Sequence, residues 1–267
     1  MSTFKLVAID LDGTLLNNDL QISPRTQEVI AKVREQGTEV TLCTGRMYAS
    51  ALPYAEQLQL QVPLVTYGGA FVKSPQNGEL IYNRNLPVEF ARKAFVMAKE
   101  YGYHVNVYYQ DSLYVEKLND KGRAYAQRVR VPIHVAEDML QFLQKDPIKM
   151  VVIAEPAELN ALQQEFIKKW GEKVFTTKSD PTFLELLHPQ ATKGKGLEAL
   201  ANYLGCGQNE MIGIGDSHND LEMFNYVGCA VVMGNAEEEI KRKADYITCQ
   251  NDDDGVAEAL EKLILDC

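Results

Sequence analysis

Four short clusters carry the residue types that could act on an anionic ester. The first is Asp10-Leu11-Asp12-Gly13-Thr14. Two carboxylates two residues apart can share one small site, one attacking phosphorus and the other shuttling the leaving-group proton. An Asp-Gly turn closing a strand explains the same residues without chemistry. The second is Thr44-Gly45-Arg46, where a hydroxyl, backbone N–H groups and a guanidinium gather at an expected helix start. That set makes an anion cradle, although an N-cap followed by a surface arginine is the plainer account. The third, Thr192-Lys193-Gly194-Lys195, puts two lysines in the first turn of a helix. Each opposes the helix dipole by ~0.3–1 kcal/mol. A bound anion reverses that penalty, and a solvated lysine pair bears it at small cost. The fourth is Gly215-Asp216-Ser217-His218-Asn219-Asp220. Ser217 and Asp220 fit an N-cap and its capping-box partner. Asp216 is left unexplained, and it could join Asp10 and Asp12 in an oxygen-only site of the type that suits Mg²⁺.

These residues need elements to position them. Residues 4–10 form an apolar run suited to a buried parallel strand. A helix is expected from 24 to 36, with Ser23 as N-cap, Pro24 at its first position and Gly37 as terminator. A strand over 39–43, a helix over 47–58 and a strand over 63–67 follow. Asn77-Gly78 then signals a hairpin between 71–73 and 80–82. From residue 193 the strand–helix alternation resumes, with strands at 210–215, 229–233 and 246–249. Each of the four clusters falls at a strand end or helix start, and ligands of open parallel sheets bind beyond the carboxyl ends of strands. The texture changes between about 83 and 189, where helices and locally paired strands mix. The expectation is an α/β protein: a Rossmann-like, doubly wound parallel sheet built from residues 1–82 and 190–267, with a second α/β domain, 83–189, inserted between. The stripe Tyr103, Tyr108, Tyr109 and Tyr114 reads as sheet packing rather than a base-stacking platform.

The bulk properties exclude several classes. The chain has 267 residues and a formal net charge of −10. That balance argues against non-specific binding to nucleic acid or an anionic membrane. No apolar run approaches the ~18 residues that span a bilayer. The start, residues 1–7, lacks a signal-peptide pattern. Cys43, Cys206, Cys229, Cys249 and Cys267 form no C-x-x-C pair and read as small buried hydrophobes in a reducing compartment. A cytoplasmic location follows, with no obligate protein partner implied.

Taken together and in this order, the clusters resemble the motifs of the haloacid dehalogenase superfamily of phosphotransferases, and within it the Cof-type phosphatases. Asp10-Leu11-Asp12-Gly13-Thr14 matches the first motif, Thr44-Gly45-Arg46 the second, Lys193 the third and Gly215–Asp220 the fourth. Met233-Gly234-Asn235-Ala236 is similar to a stretch typical of the Cof branch. The resemblance covers the whole chain, and the combined motifs are highly specific. It implies a Mg²⁺-dependent phosphatase of small phosphorylated metabolites, working through an aspartyl-phosphate. Asp10 would be nucleophile and metal ligand. Asp12 would be general acid/base and would bind metal through its carbonyl. Asp216 would be the third protein ligand. Thr44, Lys193 and the backbone N–H groups of Leu11 and Gly45 would hold phosphoryl oxygens. Asn219 would contact phosphate, Arg46 would bind substrate, and Asp220 would orient Lys193 or the metal waters. The inserted domain would be a cap that closes over the site and selects the substrate.

Two departures stand out. Many relatives have Asn-Gly-Ala where this chain has Tyr67-Gly68-Gly69-Ala70, and many carry Asn before the third-motif lysine, where Thr192 stands. Other readings are a phosphomutase, a catalytically silent metabolite-binding protein and a receiver-type switch. The last leaves the insertion without purpose, and the complete set Asp10, Asp12, Lys193 and Asp216 weighs against a silent module.

Overall fold

In the first half of the chain, strand Leu6–Ile9 is buried on both faces. Side-chain alternation sends Leu6 and Ala8 to one side of the sheet and Val7 and Ile9 to the other. The strand lies in parallel register with Glu39–Leu42 on one side and Met211–Gly215 on the other. The full sheet runs Tyr246–Ile247, Cys229–Val232, Met211–Gly215, Leu6–Ile9, Glu39–Leu42, with every pair parallel. The computed structural model describes residues 4–129 and 131–266, and only the backbone at Ser179. Residues 1–3, part of the expected leaderless start, and Cys267 lie outside the described residues.

The chain winds outward from Leu6–Ile9 to Glu39–Leu42, then returns to build the opposite half through Met211–Gly215. The reversal makes the crevice between Leu6–Ile9 and Met211–Gly215 the switch point of the sheet, where such folds bind ligands. The architecture is the expected α/β, doubly wound parallel core. Helix Pro24–Glu35 begins as read: the Ser23 side chain accepts a hydrogen bond from the Thr26 N–H, and Pro24 occupies the first turn. Helices Lys193–Leu204 and Leu221–Tyr226 bury Leu197, Leu200, Met223 and Phe224 against Leu6 and Ala8. The hairpin also forms: Gly78, at φ +72°, turns the chain, and the Ser74 N–H donates to Glu79 O at 2.9 Å. Of the described cysteines only Cys43 is a buried small hydrophobe; Cys249 is exposed, and all four are free thiols.

Two units emerge from the pattern of contacts. One comprises Met1–Gly45, Ala51–Tyr82 and Thr192–Cys267; the other comprises Arg46–Ser50 and Asn83–Ala191. The second has a six-stranded sheet in the order Phe175–Asp180, Phe183–Leu187, Lys149–Ile153, His104–Tyr109, Ser112–Val115, Ile133–Val135. Its pairs are antiparallel except the last. One face is apolar: Val105, Val107, Met150, Val152, Leu184 and Leu186 pack beneath helices Val88–Glu100 and Pro156–Trp170. The tyrosine stripe divides between faces, since alternation separates Tyr108 from Tyr109. Tyr109 meets Phe142 edge-on, whereas the Tyr108 hydroxyl lies 2.5 Å from that of Tyr125.

The Tyr67-Gly68-Gly69-Ala70 departure has a physical reading. Tyr67, Gly68 and Gly69 all have positive φ, and a Cβ on Gly69 would stand 1.9 Å from Thr192 O. The turn is pressed onto the start of helix Lys193–Leu204. Thr192 keeps the capping duty, accepting from the Lys195 N–H at 3.2 Å. Gly69→Ala adds a backbone clash to left-handed strain and should cost ~2–3 kcal/mol. Gly37 has φ +91° with nothing within 4 Å of its would-be Cβ, so Gly37→Ala bears the strain alone and should cost ~1 kcal/mol. Urea unfolding of both variants measures the difference; equal losses would contradict the close approach.

Candidate active site

Asp10 follows the last residue of strand Leu6–Ile9, and its N–H donates to Ile214 O of the neighbouring strand at 2.9 Å. Asp216 follows the end of that neighbour. Two backbone ladders therefore deliver two carboxylates to the switch point. Gly13, at φ +76°, bends the loop back so closely that a Cβ there would lie 2.6 Å from Asp216 Oδ2. Thr14 then reaches Asp216, its hydroxyl donating to Oδ1 at 3.0 Å.

Lys193 is the centre of charge. It sits in the first turn of its helix and is 1% exposed, with its ammonium 2.6 Å from Asp10 Oδ1 and 2.5 Å from Asp220 Oδ1. Asp220 uses its other oxygen for the Asp216 and Ser217 N–H groups, both at 3.0 Å. One oxygen of Asp220 makes the cap, and the other meets Lys193, the contact that the family resemblance implied. Gly215 makes room for it: a Cβ there would come within 2.5 Å of Asp220 Cγ.

Oxygens of Asp10, Asp216 and Asp220 all lie within 4.8 Å of one another. Three carboxylates face one ammonium, an excess of two negative charges. Burial lifts the Asp10 carboxyl well above the ordinary carboxylate range; Lys193 opposes the rise, and Asp220, Asp216 and Asp12 add to it. Asp216 is pushed up to about 6, first by burial and then by Asp220, against the Thr14 hydroxyl and Lys193. Burial works against the Lys193 charge, but Asp10 and Asp220 outweigh it and hold the ammonium above its usual range. A site so short of positive charge, lined by hard oxygen donors, fits a divalent cation such as Mg²⁺. The ligand oxygens that suit it best belong to Asp10 and Asp216, because both oxygens of Asp220 are already engaged. Asp12 has an exposed side chain, so its carboxylate is not part of this buried cluster.

The remaining sequence candidates fall around this centre. Leu11 is fully buried and its carbonyl accepts from the Leu16 N–H at 2.9 Å, which fixes the loop. Thr44 lies two residues beyond strand Glu39–Leu42, buried, with its N–H on Val65 O and its carbonyl accepting from Gly68 N–H at 3.0 Å. Gly45 follows it, with open space where a Cβ would point. Asn219 is half-buried and its Oδ1 accepts from the Ser217 hydroxyl at 3.1 Å. Arg46, half-buried, belongs to the second unit. Three residues given no role by sequence reasoning brace the first loop. They are Thr14 and the pair Asn235 and Asn251. The Asn235 amide donates to Gly13 O at 2.9 Å, and Asn251 donates its N–H to Asn235 Oδ1 and its side-chain amide to Leu16 O. Asn235 lies in the quoted Met233–Ala236 stretch; nothing in the sequence marks Asn251.

Comparison with known proteins places the chain in a family. The family described as haloacid dehalogenase-like hydrolase matches residues 7–260. A provisionally named phosphatase of Streptococcus pyogenes serotype M6 is 32% identical over 270 residues, covering 98% of this chain and 99% of that one. The Bacillus subtilis protein named 5-amino-6-(5-phospho-D-ribitylamino)uracil phosphatase YitU is 30% identical over 262 residues, 96% of each. The crystal structure of a haloacid dehalogenase-like hydrolase from Bacteroides thetaiotaomicron superposes with a TM-score of 0.90 at 31% identity, over 97% of this chain and 99% of that one.

Lys193→Met tests the charge balance directly. It strands two buried carboxylates without their cation, and at pH 8 it should destabilise the fold by ~3–5 kcal/mol. With the ammonium gone, the folded-state pKa of Asp10 rises further above its unfolded value. Protonation then favours the folded state, so the deficit is largest at high pH and shrinks as pH falls through that raised pKa. Unfolding curves from pH 8 to 5 measure it; a deficit that grows on acidification would refute the balance.

Proposed function

This chain belongs to the haloacid dehalogenase-like hydrolases and is a phosphoric monoester hydrolase, and we propose that it uses Mg²⁺ and an aspartyl-phosphate to dephosphorylate small hydroxyl-bearing metabolites. The observation that carries the reading is the buried Asp10 carboxylate at the switch point, held by Lys193 in a cluster with two negative charges to spare.

A dianionic ester repels a carboxylate nucleophile, so attack needs positive charge on the transferring oxygens. In this reading Lys193 supplies one such charge from the first turn of its helix. Mg²⁺, held by Asp10, Asp216 and the Asp12 carbonyl, would supply further neutralisation when bound. Asp10 attacks phosphorus and the leaving oxygen takes a proton from Asp12, whose side chain is exposed. The deprotonated Asp12 then draws a proton from the water that hydrolyses the aspartyl-phosphate. Thr44, Asn219 and the N–H groups of Leu11 and Gly45 would hold the phosphoryl oxygens, and Arg46 the ester's other end. Asp220 would fix the Lys193 ammonium. Residues 83–189 would act as the cap that excludes water and chooses among esters.

The substrate class draws on the relatives. YitU is named for a phosphate ester on a ribityl chain, a phosphomonoester rich in hydroxyls, and we extend that class to this chain. No helix among the described residues is long and apolar enough to cross a membrane, in keeping with a freely diffusing metabolite as substrate.

Asp10→Asn keeps the size and removes the attacking charge. Phosphate release from p-nitrophenyl phosphate with Mg²⁺ should fall by at least ~10³-fold, with an unchanged circular-dichroism spectrum. Excess chelator should abolish wild-type turnover, and added Mg²⁺ should restore it. Activity of the variant within tenfold of wild type would exclude the covalent route; full activity in chelator would exclude the metal.

A further inference from the structure

Three consecutive residues of the first unit have positive φ: Tyr67 at +54°, Gly68 at +65° and Gly69 at +98°. Tyr67 is the unusual member. A bulky side chain seldom enters the left-handed region. This one is fully buried, with its ring edge-on to Phe71 at 5.9 Å. Such a backbone persists only where its surroundings over-determine it, and it collects at working sites.

The turn is fixed to two other segments. The first holds Thr44. The Gly68 N–H donates to Thr44 O at 3.0 Å, and the Thr44 N–H donates to Val65 O at 2.9 Å. Cys43, the residue before, pairs with Val65 in a parallel bridge. Both polar backbone groups of Thr44 are therefore tied to strand Leu64–Thr66 and the turn that follows it.

The second segment is the start of helix Lys193–Leu204. A Cβ on Gly69 would stand 1.9 Å from Thr192 O and 2.8 Å from Lys193 N. A Cβ on Gly196 would stand 2.6 Å from Val65 Cγ1 and 2.9 Å from Gly69 Cα. Backbone bears on backbone here, and no long side chain lies between to yield. Thr44 and Lys193, far apart in sequence, are thus braced by one turn. In the phosphatase reading they are two of the groups that hold phosphoryl oxygens.

We propose that Tyr67, Gly68 and Gly69 form a positioning element that sets the spacing between Thr44 and Lys193 to suit a phosphoryl group. The element touches no reacting atom and acts through those two residues. A hydrogen bond weakens steeply as its geometry departs from the best. A helix start displaced by a fraction of an ångström therefore lengthens contacts to the same phosphate from one side while Thr44 stays on the other. The inference rests on the phosphatase reading above and adds the residues that set its grip on phosphate.

The test uses the full-length protein with Mg²⁺ and inorganic phosphate as the probe. Calorimetric titration gives its Kd, and competition with p-nitrophenyl phosphate gives its Ki. Gly69→Ala pushes against Thr192 and should weaken phosphate binding at least tenfold. Gly196→Ala presses on the same contact from the helix and brings a better helix former, which keeps a folded protein should Gly69→Ala unfold. It should weaken binding at least threefold. Gly205→Ala is the control. Gly205 caps the far end of the same helix at φ +66°, with nothing within 4 Å of its would-be Cβ. Its replacement strains the helix away from Lys193 and should leave Kd and Ki within twofold of wild type. A turn that served stability alone would let all three folded variants bind phosphate alike. A folded Gly69→Ala or Gly196→Ala whose Kd stays within twofold of wild type overturns the inference, and so does a Gly205→Ala that weakens binding as much as they do. A wild type that neither binds phosphate nor releases it from p-nitrophenyl phosphate overturns the phosphatase reading and the positioning element with it.

Discussion

The ammonium of Lys193 is held 2.6 Å from Asp10 and 2.5 Å from Asp220, with almost no contact with water. Removing such charges from solvent costs several kcal/mol per ion, so the geometry has to be good enough to offset it. Much of the surrounding sequence can be read as meeting that demand. The helix that presents Lys193 must start at one place, so Thr192 caps it and the Gly68-Gly69 turn presses on its first carbonyl. Gly194 and Gly196 let the helix settle onto its neighbours: a Cβ on either would come within 2.4 Å of Glu222 O or 2.6 Å of Val65 Cγ1. Four glycines and a threonine are thus accounted for by one buried cation.

The same constraint explains why the site is electrostatically unfinished. A single ammonium among three carboxylates cannot neutralise them, and the raised positions of Asp10 and Asp216 express the shortfall. A fold selected for stability alone would replace one carboxylate by an amide. Keeping all three leaves a site that gains from any ligand bringing positive charge, which is the physical case for a divalent cation under the proposed function. The backbone around it is correspondingly over-determined. Asn235 and Asn251 pin Gly13 and Leu16 from the far end of the chain, and Thr14 pins Asp216.

The parallel core was legible because its strands are continuous apolar runs and its polar residues collect at their ends. Ser23, Pro24, Asn77 and Gly78 mark local geometry that involves only near neighbours, and those readings held. What failed to show in the sequence was multiplicity. Ser217 and Asp220 looked like a helix cap, and they are one; that the same carboxylate reaches back to Lys193 came from the family resemblance and not from any local signal. Asn251 is 235 residues from the carbonyl it braces, and no motif announces a bond of that span. The cysteines misled in a milder way, since composition suggested burial for all and only Cys43 among the described ones obeys it.

The second unit shows the limit most sharply. Period-two alternation identifies a sheet with two unlike faces, but it assigns polarity only when one face is wet. His104, Asn106, Tyr108, Lys149 and Glu185 are all buried, among Val151 and Ile153 and beneath helix Asp120–Val129, whose Tyr125 hydroxyl meets that of Tyr108. Read as sequence, His104–Tyr109 looks like ordinary aromatic packing, and Lys149 and Glu185 look like surface charges 36 residues apart. Only the register that lines up Tyr108 with Lys149 and Val151 with Glu185 turns them into one row. A strand pattern that would ordinarily place charges in water has been kept while the water was removed, at a cost of ~1–3 kcal/mol for an amide left unmatched.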